Sequence, residues 1–255
     1  MYIDTHAHLN FQAFKLDWQQ VIERAKKANI KAIINAGSNF ETSKKAIEIA
    51  EKQENVFAAV GLHPIHVKDE EFDEENFFKL AKNKKVVAIG ETGLDYYYDK
   101  SNMALQKEVL VKSIKLAQIV SKPIILHLRE ADEDLLSLLM GESTLPKGVL
   151  HCFGGNWQFA QMVLSMGFYI SFTGIITFTK NQQTFEVIEK IPLEKILIET
   201  DCPYLTPEPY RGQRNDPTHV IEVAKKIAEI KKISLGEVAE QTSKNAIELF
   251  KLDLK

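Results

Sequence analysis

The first eight residues combine residue types that can bind a metal ion. Asp4, His6 and His8 alternate along a short apolar run, and alternate residues of a β-strand lie on one face. Two imidazoles at this spacing can bind one divalent cation, and a carboxylate on the same face can orient a ring through its second nitrogen. Two surface histidines would give the same pattern, so its meaning depends on whether further ligands reach the same place.

Further polar residues follow later apolar runs, each at the carboxyl end of its run. Glu91 and Asp201 supply two carboxylates. Four imidazoles and two carboxylates exceed the needs of one tetrahedral zinc ion, but they suit two neighbouring ions that share Glu91 or Asp201. Glu199 also faces inward, either as a hydrogen-bond partner of a ligand or as a structural residue of the interior. The predicted metal ligands are His6, His8, Glu91, His127, His151 and Asp201.

The elements that must position these residues are eight short apolar runs alternating with helical patterns. Continuous apolar runs suit parallel strands buried on both faces, and short connections are typical of βα units. We therefore predict one α/β domain over residues 1–255, a (β/α)8 TIM barrel with its metal site at the C-terminal mouth. An open doubly wound sheet is the alternative, but its glycine fingerprints are missing. Strands are predicted near Ile3, Ile33, Val60, Val87, Ile125, Leu150, Ile170 and Leu197, and helices over 17–29, 41–53, 74–82, 102–120, 133–140, 157–166, 184–190, 218–230 and 235–249.

Composition narrows the class of protein. The chain has 255 residues, close to the roughly 250 of a TIM barrel, with 45% hydrophobic and 26% charged residues, as in ordinary globular proteins. A net charge of -3 argues against a generally basic surface, so a nucleic-acid partner would need a local cationic cluster. Two cysteines, no signal-peptide pattern and no long apolar run predict a soluble cytoplasmic protein without a membrane span. The expected assembly, which these features do not decide, is a monomer or weak oligomer.

Arginines add a signal for an anionic substrate. Arg211 and Arg214 lie in the loop after the eighth run, and TIM barrels often bind phosphate at the loops after strands 7 and 8. Arg129 lies two residues after His127, and arginine matches phosphate oxygens in geometry and charge. His63 either contacts substrate or holds its own turn. The aromatic run over 96–98 either lines a substrate groove or, the favoured interpretation, packs at the barrel rim.

These residues occur in motifs that resemble the TatD-type metal-dependent deoxyribonucleases of the amidohydrolase-like superfamily. The resemblance covers essentially the whole chain, with no departure at a ligand position. The motifs are Asp4-Thr-His6-Ala-His8-Leu9, Val60-Gly-Leu-His63-Pro64, Ile89-Gly-Glu91-Thr-Gly-Leu-Asp95-Tyr96, Leu126-His127-Leu-Arg129, His151-Cys-Phe-Gly-Gly155, Glu199-Thr-Asp201-Cys-Pro203-Tyr204-Leu205 and Tyr210-Arg211-Gly-Gln-Arg214-Asn215.

The resemblance implies that the six predicted ligands hold one or two divalent cations, of zinc, manganese, magnesium or iron. It also implies a hydrolase of ester bonds that acts on DNA, with 3′-to-5′ exonuclease activity on single-stranded ends. In the mechanism that we expect, Asp201, or Glu199 through it, accepts a proton from the attacking water, and Glu91 bridges two cations. The arginines stabilise the negative charge on the phosphoryl oxygens.

Other functions fit the same scaffold. An amidohydrolase or lactonase would cleave a bond at carbon, but such enzymes commonly carry a carboxylated lysine where this chain has Glu91. They would also leave Arg211 and Arg214 without a role. Deacylation of charged tRNA would use these arginines equally well. A barrel that binds metal or nucleic acid without turnover is least favoured, because so many buried charges are costly to keep.

Overall fold

The computed structural model describes residues 1–254, which form eight strands in the sheet order β1 to β8. Every pair of neighbouring strands is parallel. The strands are β1 (Tyr2–Ala7), β2 (Ile30–Ala36), β3 (Val56–Val60), β4 (Val86–Asp95), β5 (Ile124–Arg129), β6 (Gly148–Leu150), β7 (Tyr169–Phe172) and β8 (Ile196–Ile198).

Helices separate the strands and surround them. Two helices follow β8, and no helix within residues 1–254 is long and apolar enough to cross a membrane. The helices of this range are α1 (Trp18–Lys27), α2 (Phe40–Glu51), α3 (Glu74–Ala81), α4 (Met103–Val120), α5 (Asp132–Gly141), α6 (Trp157–Ser165), α7 (Gln182–Lys190), α8 (Val220–Lys231) and α9 (Leu235–Phe250).

A few contacts, rather than a full ladder, close the ring between β1 and β8. Ala7 and Cys202 form an isolated parallel bridge. The carboxylate of Asp4 accepts hydrogen bonds from the backbone N–H of Thr200 at 2.9 Å and from its hydroxyl at 2.6 Å. Asp4 is fully buried, so these bonds satisfy a carboxylate that would otherwise be costly to bury. The result is a nearly closed barrel.

The barrel is filled at its amino end and open at its carboxyl end. One apolar cluster takes side chains from all eight strands and adds Leu249 and Phe250 of α9. The side-chain amide of Asn245, also on α9, donates to the backbone carbonyl of Ile196 at 2.7 Å, at the start of β8. Helix α9 therefore closes the amino end, and a ligand can reach the interior only from the mouth where the strands end.

The predicted TIM barrel is confirmed, and the alternative of an open doubly wound sheet is wrong, because the strands pair in simple sequential order. All eight predicted strands are present. The predicted helix ends differ from the observed ones by at most two residues. The predicted and observed ends agree because the connections are short: an apolar run and the helical pattern that follows it leave few positions at which an element could end.

Candidate metal centre

The structure brings the six predicted ligands together at the open mouth. They come from five different strand ends, and all are buried or partly buried. Backbone pairing holds two of the sources in register: the His8 N–H donates to the Cys202 carbonyl at 2.8 Å, and the Asp201 N–H donates to the His6 carbonyl at 2.9 Å. The ligands after β8 are therefore fixed against those of β1 by main-chain bonds.

One group of ligands faces inward around a small gap. The Nε2 atoms of His6 and His8 are 3.2 Å apart. Glu91 Oε2 lies 3.2 Å from His6 Nε2 and 3.7 Å from His8 Nε2. Asp201 Oδ1 lies 3.2 Å from His8 Nε2 and 3.8 Å from His6 Nε2.

The gap between these four atoms fits a single ion. Bonds of about 2.0–2.1 Å to a tetrahedral ion place its ligand atoms about 3.3–3.4 Å apart. The separations given above run from 3.2 to 3.8 Å and so bracket this value. Imidazole nitrogens and carboxylate oxygens are also a donor set that zinc, manganese and iron accept. The residues present therefore fit a divalent metal ion.

A second group meets the other oxygen of the same carboxylate. Glu91 Oε1 lies 2.9 Å from His127 Nδ1, 3.0 Å from His151 Nε2 and 3.2 Å from His63 Nε2. The two oxygens of Glu91 thus face two different histidine groups. This arrangement is the one that a carboxylate bridging two ions requires, and it supports the prediction that Glu91 is shared.

Local backbone geometry lets β4 present Glu91 at this level. Gly93, which follows Glu91 by two residues, has a φ of +151°, and a Cβ atom there would lie 2.0 Å from the carbonyl oxygen of His127. Only glycine allows β4 to approach β5 this closely. The same face of β4 next carries Asp95, which pairs with Arg129 across the strands.

Two of the histidine rings contact a carboxylate through the nitrogen that faces away from Glu91. Asp95 Oδ2 lies 3.1 Å from His127 Nε2, and Glu199 Oε1 lies 3.0 Å from His151 Nδ1. A ring that donates its N–H to a carboxylate keeps the lone pair of its other nitrogen for a metal ion. Asp95 was not among the predicted site residues, although its alternation with Glu91 on β4 is a signal that points to it. Glu199 contacts His151, and the predicted proton relay from Glu199 through Asp201 is therefore not supported.

Asp4 does not orient a histidine ring, contrary to expectation. The register between β1 and β2 shifts after Asp4, which breaks the simple alternation of faces on which the expectation rested. The Asp4 carboxylate instead bonds to Thr200. His8 is oriented by main chain, with Nδ1 2.9 Å from the Ala36 carbonyl oxygen. His6 Nδ1 is buried and has no hydrogen-bond partner among residues 1–254.

The carboxylates and the imidazoles of the centre stabilise each other's charged forms. Burial would raise the pKa of Glu91, but the imidazoles of His63, His151 and His6 hold it well below its usual range. Burial would lower the pKa of His151, but the carboxylates of Glu91 and Glu199 raise it well above its usual value. Glu91 is therefore ionised, as a metal ligand must be, whereas the His151 ring would have to release a proton when an ion binds.

His63 also lies at this centre, but as a hydrogen-bond donor rather than as a metal ligand. Its Nδ1 accepts a hydrogen bond from the Ile65 N–H at 3.1 Å, so in the neutral ring the proton lies on Nε2 and faces Glu91. Burial lowers the pKa of His63 to about 4, which keeps the ring neutral near pH 7. A nitrogen that carries a proton cannot bind a metal ion. His63 thus both holds its turn and presents a hydrogen-bond donor to the centre.

The predicted arginines separate into two kinds. Arg214 forms an ion pair with Asp17 at 2.6 Å, outside the mouth. Arg211 donates to the carbonyl of Thr206 at 2.9 Å and lies over the ring of Phe178. Neither lines the cleft above the metal centre, whereas Arg129 does. The long side chains of Arg211 and Arg214 turn away from the mouth to nearer partners, and their contact with substrate stays a prediction.

A wide cleft opens above the ligands. Its volume is about 1530 Å³, larger than the roughly 300–1,000 Å³ typical of small-molecule sites. Its walls include Phe11 and Lys45, which the sequence did not single out, and Tyr204, which belongs to one of the motifs. The ring of Phe11 stacks on His8 with centroids 4.3 Å apart. Tyr98 also lines the cleft, so rim packing is not its only role.

Comparison with known proteins agrees with this geometry. The family model described as TatD related DNase matches residues 3–251. A Bacillus subtilis protein named as the uncharacterized metal-dependent hydrolase YabD is 43% identical over 99% of this chain and 100% of its own length. The uncharacterized metal-dependent hydrolase YcfH of Escherichia coli K12 is 35% identical over 98% of this chain and 96% of its own.

Solved structures agree as well. The crystal structure of YJJV, a TatD homologue from Escherichia coli K12, superposes with a TM-score of 0.93 at 31% identity, covering 99% of this chain and 98% of that one. The match of the family model and the high identity to relatives over their full lengths leave one assignment. The chain belongs to the family of TatD-related DNases and is a metal-dependent hydrolase of that family.

Proposed function

We propose that this protein is a deoxyribonuclease that uses divalent metal ions to remove nucleotides from the 3′ end of single-stranded DNA. The observation that carries the proposal is the division of the Glu91 carboxylate between two histidine groups, directly below a wide cleft. Two metal ions that lie on either side of one shared carboxylate are a recurring arrangement in enzymes that catalyse displacement at phosphorus. The family match supports DNA as the substrate class.

Two sets of residues would hold the ions. His6, His8 and Asp201 would hold one ion, His127 and His151 the other, with Glu91 between them. Bound divalent ions supply Lewis acidity and lower the pKa of a water molecule to near neutrality. Zinc, manganese, magnesium and iron all remain compatible with this donor set.

The protein groups then act on the water and on the phosphate. Asp201 has the most exposed side chain of the first ligand group, at 15%, and is placed to accept the proton of an attacking water as general base. The Nε2–H of His63 lies on the side of the second histidine group, 3.2 Å from Glu91 Oε1, and would donate to a phosphoryl oxygen, where negative charge develops. Glu199 positions His151 rather than accepting the proton itself.

The size and charge of the cleft weigh against the rival enzymes. A small amide or lactone would leave most of the cleft empty, and it would leave the cations Lys45 and Arg129 without an anionic partner. The 3′ end of a charged tRNA would occupy the same cleft, because it too is a single strand of nucleotides. Deacylation therefore remains an outcome to be tested with the substrate itself.

Single-stranded DNA oligonucleotides labelled at either end provide the test. Protein stripped by chelator would be assayed alone and after addition of magnesium, manganese or zinc. We expect the 5′-labelled strand to give a ladder and the 3′-labelled strand to release its label as a short product. Asp201→Asn should abolish both, whereas Asp69→Asn, which changes an exposed aspartate outside the cleft, should not.

The opposite result has a clear meaning. If the DNA stays intact under every metal while an aminoacyl-tRNA or a carboxylic ester is hydrolysed, the nuclease proposal is wrong and the metal centre serves the other chemistry. Cleavage that starts internally would retain the nuclease and reject the 3′-end polarity.

A further inference from the structure

We propose that Arg129 and Tyr98 form a binding site for the nucleotide next to the scissile phosphate, on its 5′ side. Arg129 binds the phosphate of that nucleotide, and Tyr98 stacks on its base. This inference rests on the proposed nuclease function and specifies how the cleft holds its substrate. The 5′ side follows from the polarity, because beyond a 3′-terminal nucleotide there is no further phosphate.

The charge of Arg129 has no anionic partner. The other three arginines of the chain are engaged: Arg24 with Asp216 and Arg214 with Asp17 as ion pairs, and Arg211 with a backbone carbonyl. The guanidinium of Arg129 forms no hydrogen bond or ion pair with any residue of the range 1–254. All five of its N–H donors are therefore free for an anionic ligand.

Aromatic packing nevertheless holds Arg129 in one place. Its guanidinium carbon lies 3.5 Å from the ring centroid of Tyr97, within the range of a cation–π contact. Arg129 lines the cleft, whereas Tyr97, which holds its guanidinium, does not. A cation that is fixed without being neutralised is the arrangement expected of a phosphate site.

Tyr98 supplies a flat surface beside this cation. Its side chain is 70% exposed, lines the cleft and meets Tyr97 edge to face, with centroids 4.9 Å apart. The guanidinium carbon of Arg129 is 5.1 Å from its centroid. Bases of single-stranded nucleic acids stack on such rings without regard to sequence. The exposed ring of Tyr98 can therefore stack on a base while the neighbouring Arg129 binds the phosphate of the same nucleotide.

The position along the strand fits a neighbouring nucleotide rather than the scissile one. Arg129 follows the predicted ligand His127 by two residues on β5, so it lies on the same face and about 6.6 Å nearer the solvent. A phosphate held by Arg129 would therefore lie on the solvent side of the predicted ligands, as the phosphate of a neighbouring nucleotide does when the scissile phosphate is at the metal centre.

Replacement of single phosphates by neutral methylphosphonates tests the assignment of Arg129. In the wild-type protein, a methylphosphonate at the first phosphate 5′ of the scissile one should lower kcat/KM for terminal-nucleotide release about tenfold or more. The Arg129→Ala protein should show no further loss from this substitution. Arg214→Ala, which removes an arginine outside the cleft, should keep the full sensitivity of the wild type.

Abasic substitution tests the assignment of Tyr98. Binding would be followed by fluorescence anisotropy in the Asp201→Asn protein, so that the DNA is not consumed. Removing the base of the second nucleotide from the 3′ end should weaken binding roughly 5- to 100-fold. Tyr98→Ala in the same background should weaken binding of intact DNA to a similar degree and be insensitive to the missing base. Tyr98→Phe should bind as the parent does, because stacking needs only the ring.

A small substrate separates failure of this site from failure of the nuclease function. Bis(p-nitrophenyl) phosphate has a phosphodiester but no neighbouring nucleotide, so Arg129→Ala and Tyr98→Ala should each lose much less activity on it than on DNA. Equal losses on this compound and on DNA, or a methylphosphonate effect that persists in Arg129→Ala, would overturn the site and leave the nuclease standing. A wild-type protein that cleaves neither substrate would overturn the proposed function instead.

Discussion

At the residue scale, hydrogen bonds on the outer side of each ring decide which nitrogen faces the metal centre. His127 turns its Nδ1 inward because its Nε2 meets Asp95, whereas His151 turns its Nε2 inward because its Nδ1 meets Glu199. The two rings approach Glu91 Oε1 from different directions as a result. The residue types of the ligands alone do not determine this geometry, since without these hydrogen bonds either nitrogen of each ring could face the centre.

Asp95→Asn tests the positioning of His127. The amide keeps the shape of the side chain, but it can present an N–H to the ring and so favour the wrong tautomer. We expect metal affinity, measured by chelator competition, to fall 10- to 100-fold, with kcat/KM recovering at high metal concentration. Asp69→Asn serves as the matched control. Full affinity for the metal with lost activity would instead assign Asp95 to substrate.

His63→Ala distinguishes a hydrogen-bond donor from a ligand. Because its Nε2 carries the proton, we expect the variant to retain the metal content of the wild type and to lose about 10²–10³-fold in kcat, the usual effect of removing a donor to a developing oxyanion. His127→Ala, by contrast, should lose bound metal. Loss of a metal equivalent in His63→Ala would show that the ring is a ligand.

The sequence determines where a side chain at a strand end lies better than where a side chain in a loop lies, for a physical reason. A histidine or carboxylate at the end of a buried strand has a fixed place, because the strand itself has one. Arg211 and Arg214 lie in a loop on long flexible side chains, and neither their spacing nor their charge tells which acceptor is nearer. Arg129 could be assigned to the mouth because it is part of β5.

At the element scale, two reciprocal ion pairs fasten the loop after β8 to α1. Asp17, at the start of α1, pairs with Arg214 at 2.6 Å, and Arg24, within α1, pairs with Asp216 at 2.7 Å. Since Asp201 lies at the start of the same loop, this attachment holds the loop that carries one of the predicted ligands. We therefore expect the role of Arg214 to be structural.

Arg214→Met tests that role. We expect a loss of about 0–1 kcal/mol in the free energy of unfolding at pH 7, as for other exposed pairs, with wild-type cleavage of DNA. Arg214 lowers the pKa of Asp17, so the pair stabilises the folded protein above the unfolded-state pKa of about 3.9 and this contribution is lost as the pH falls below it. Urea denaturation at pH 7 and pH 3 should show the difference from wild type narrowing in acid. Unchanged stability with lost cleavage would restore Arg214 to the substrate contacts.

The strands and helices could be predicted from the sequence wherever the local pattern of apolar residues determines them. The strands follow from apolar runs and the helices from periodicity, and both are confirmed. The closure of β8 on β1 joins residues almost 200 positions apart, with Asp4 bonded to Thr200. No local pattern reports such a contact, and this is why the role of Asp4 was predicted wrongly.

At the scale of the whole molecule, the net charge is -3, and the cleft is lined both by the carboxylates Glu41 and Glu48 and by two cations without an ion-pair partner in residues 1–254, Lys45 and Arg129. Lys45, on α2, lines the cleft and has no hydrogen-bond or ion-pair partner within residues 1–254. Helix α2 follows β2, so Lys45 and Arg129 on β5 lie three strands apart in a ring of eight, on well-separated sides of the mouth. We expect an anionic strand that contacts both to span the mouth.

Lys45→Ala tests this path through the salt dependence of binding. Each phosphate neutralised by a lysine releases counterions, which contributes about 0.7 to the slope of log affinity against log salt for single strands. We expect the variant, in an Asp201→Asn background, to bind a single-stranded oligonucleotide more weakly at low salt and to lose about that much slope. Lys52→Ala, at the end of the same helix but outside the cleft, should leave the slope unchanged. Equal slopes for the parent and both variants would mean that DNA leaves the mouth by another route, because a cation on its path cannot be removed without a change in counterion release.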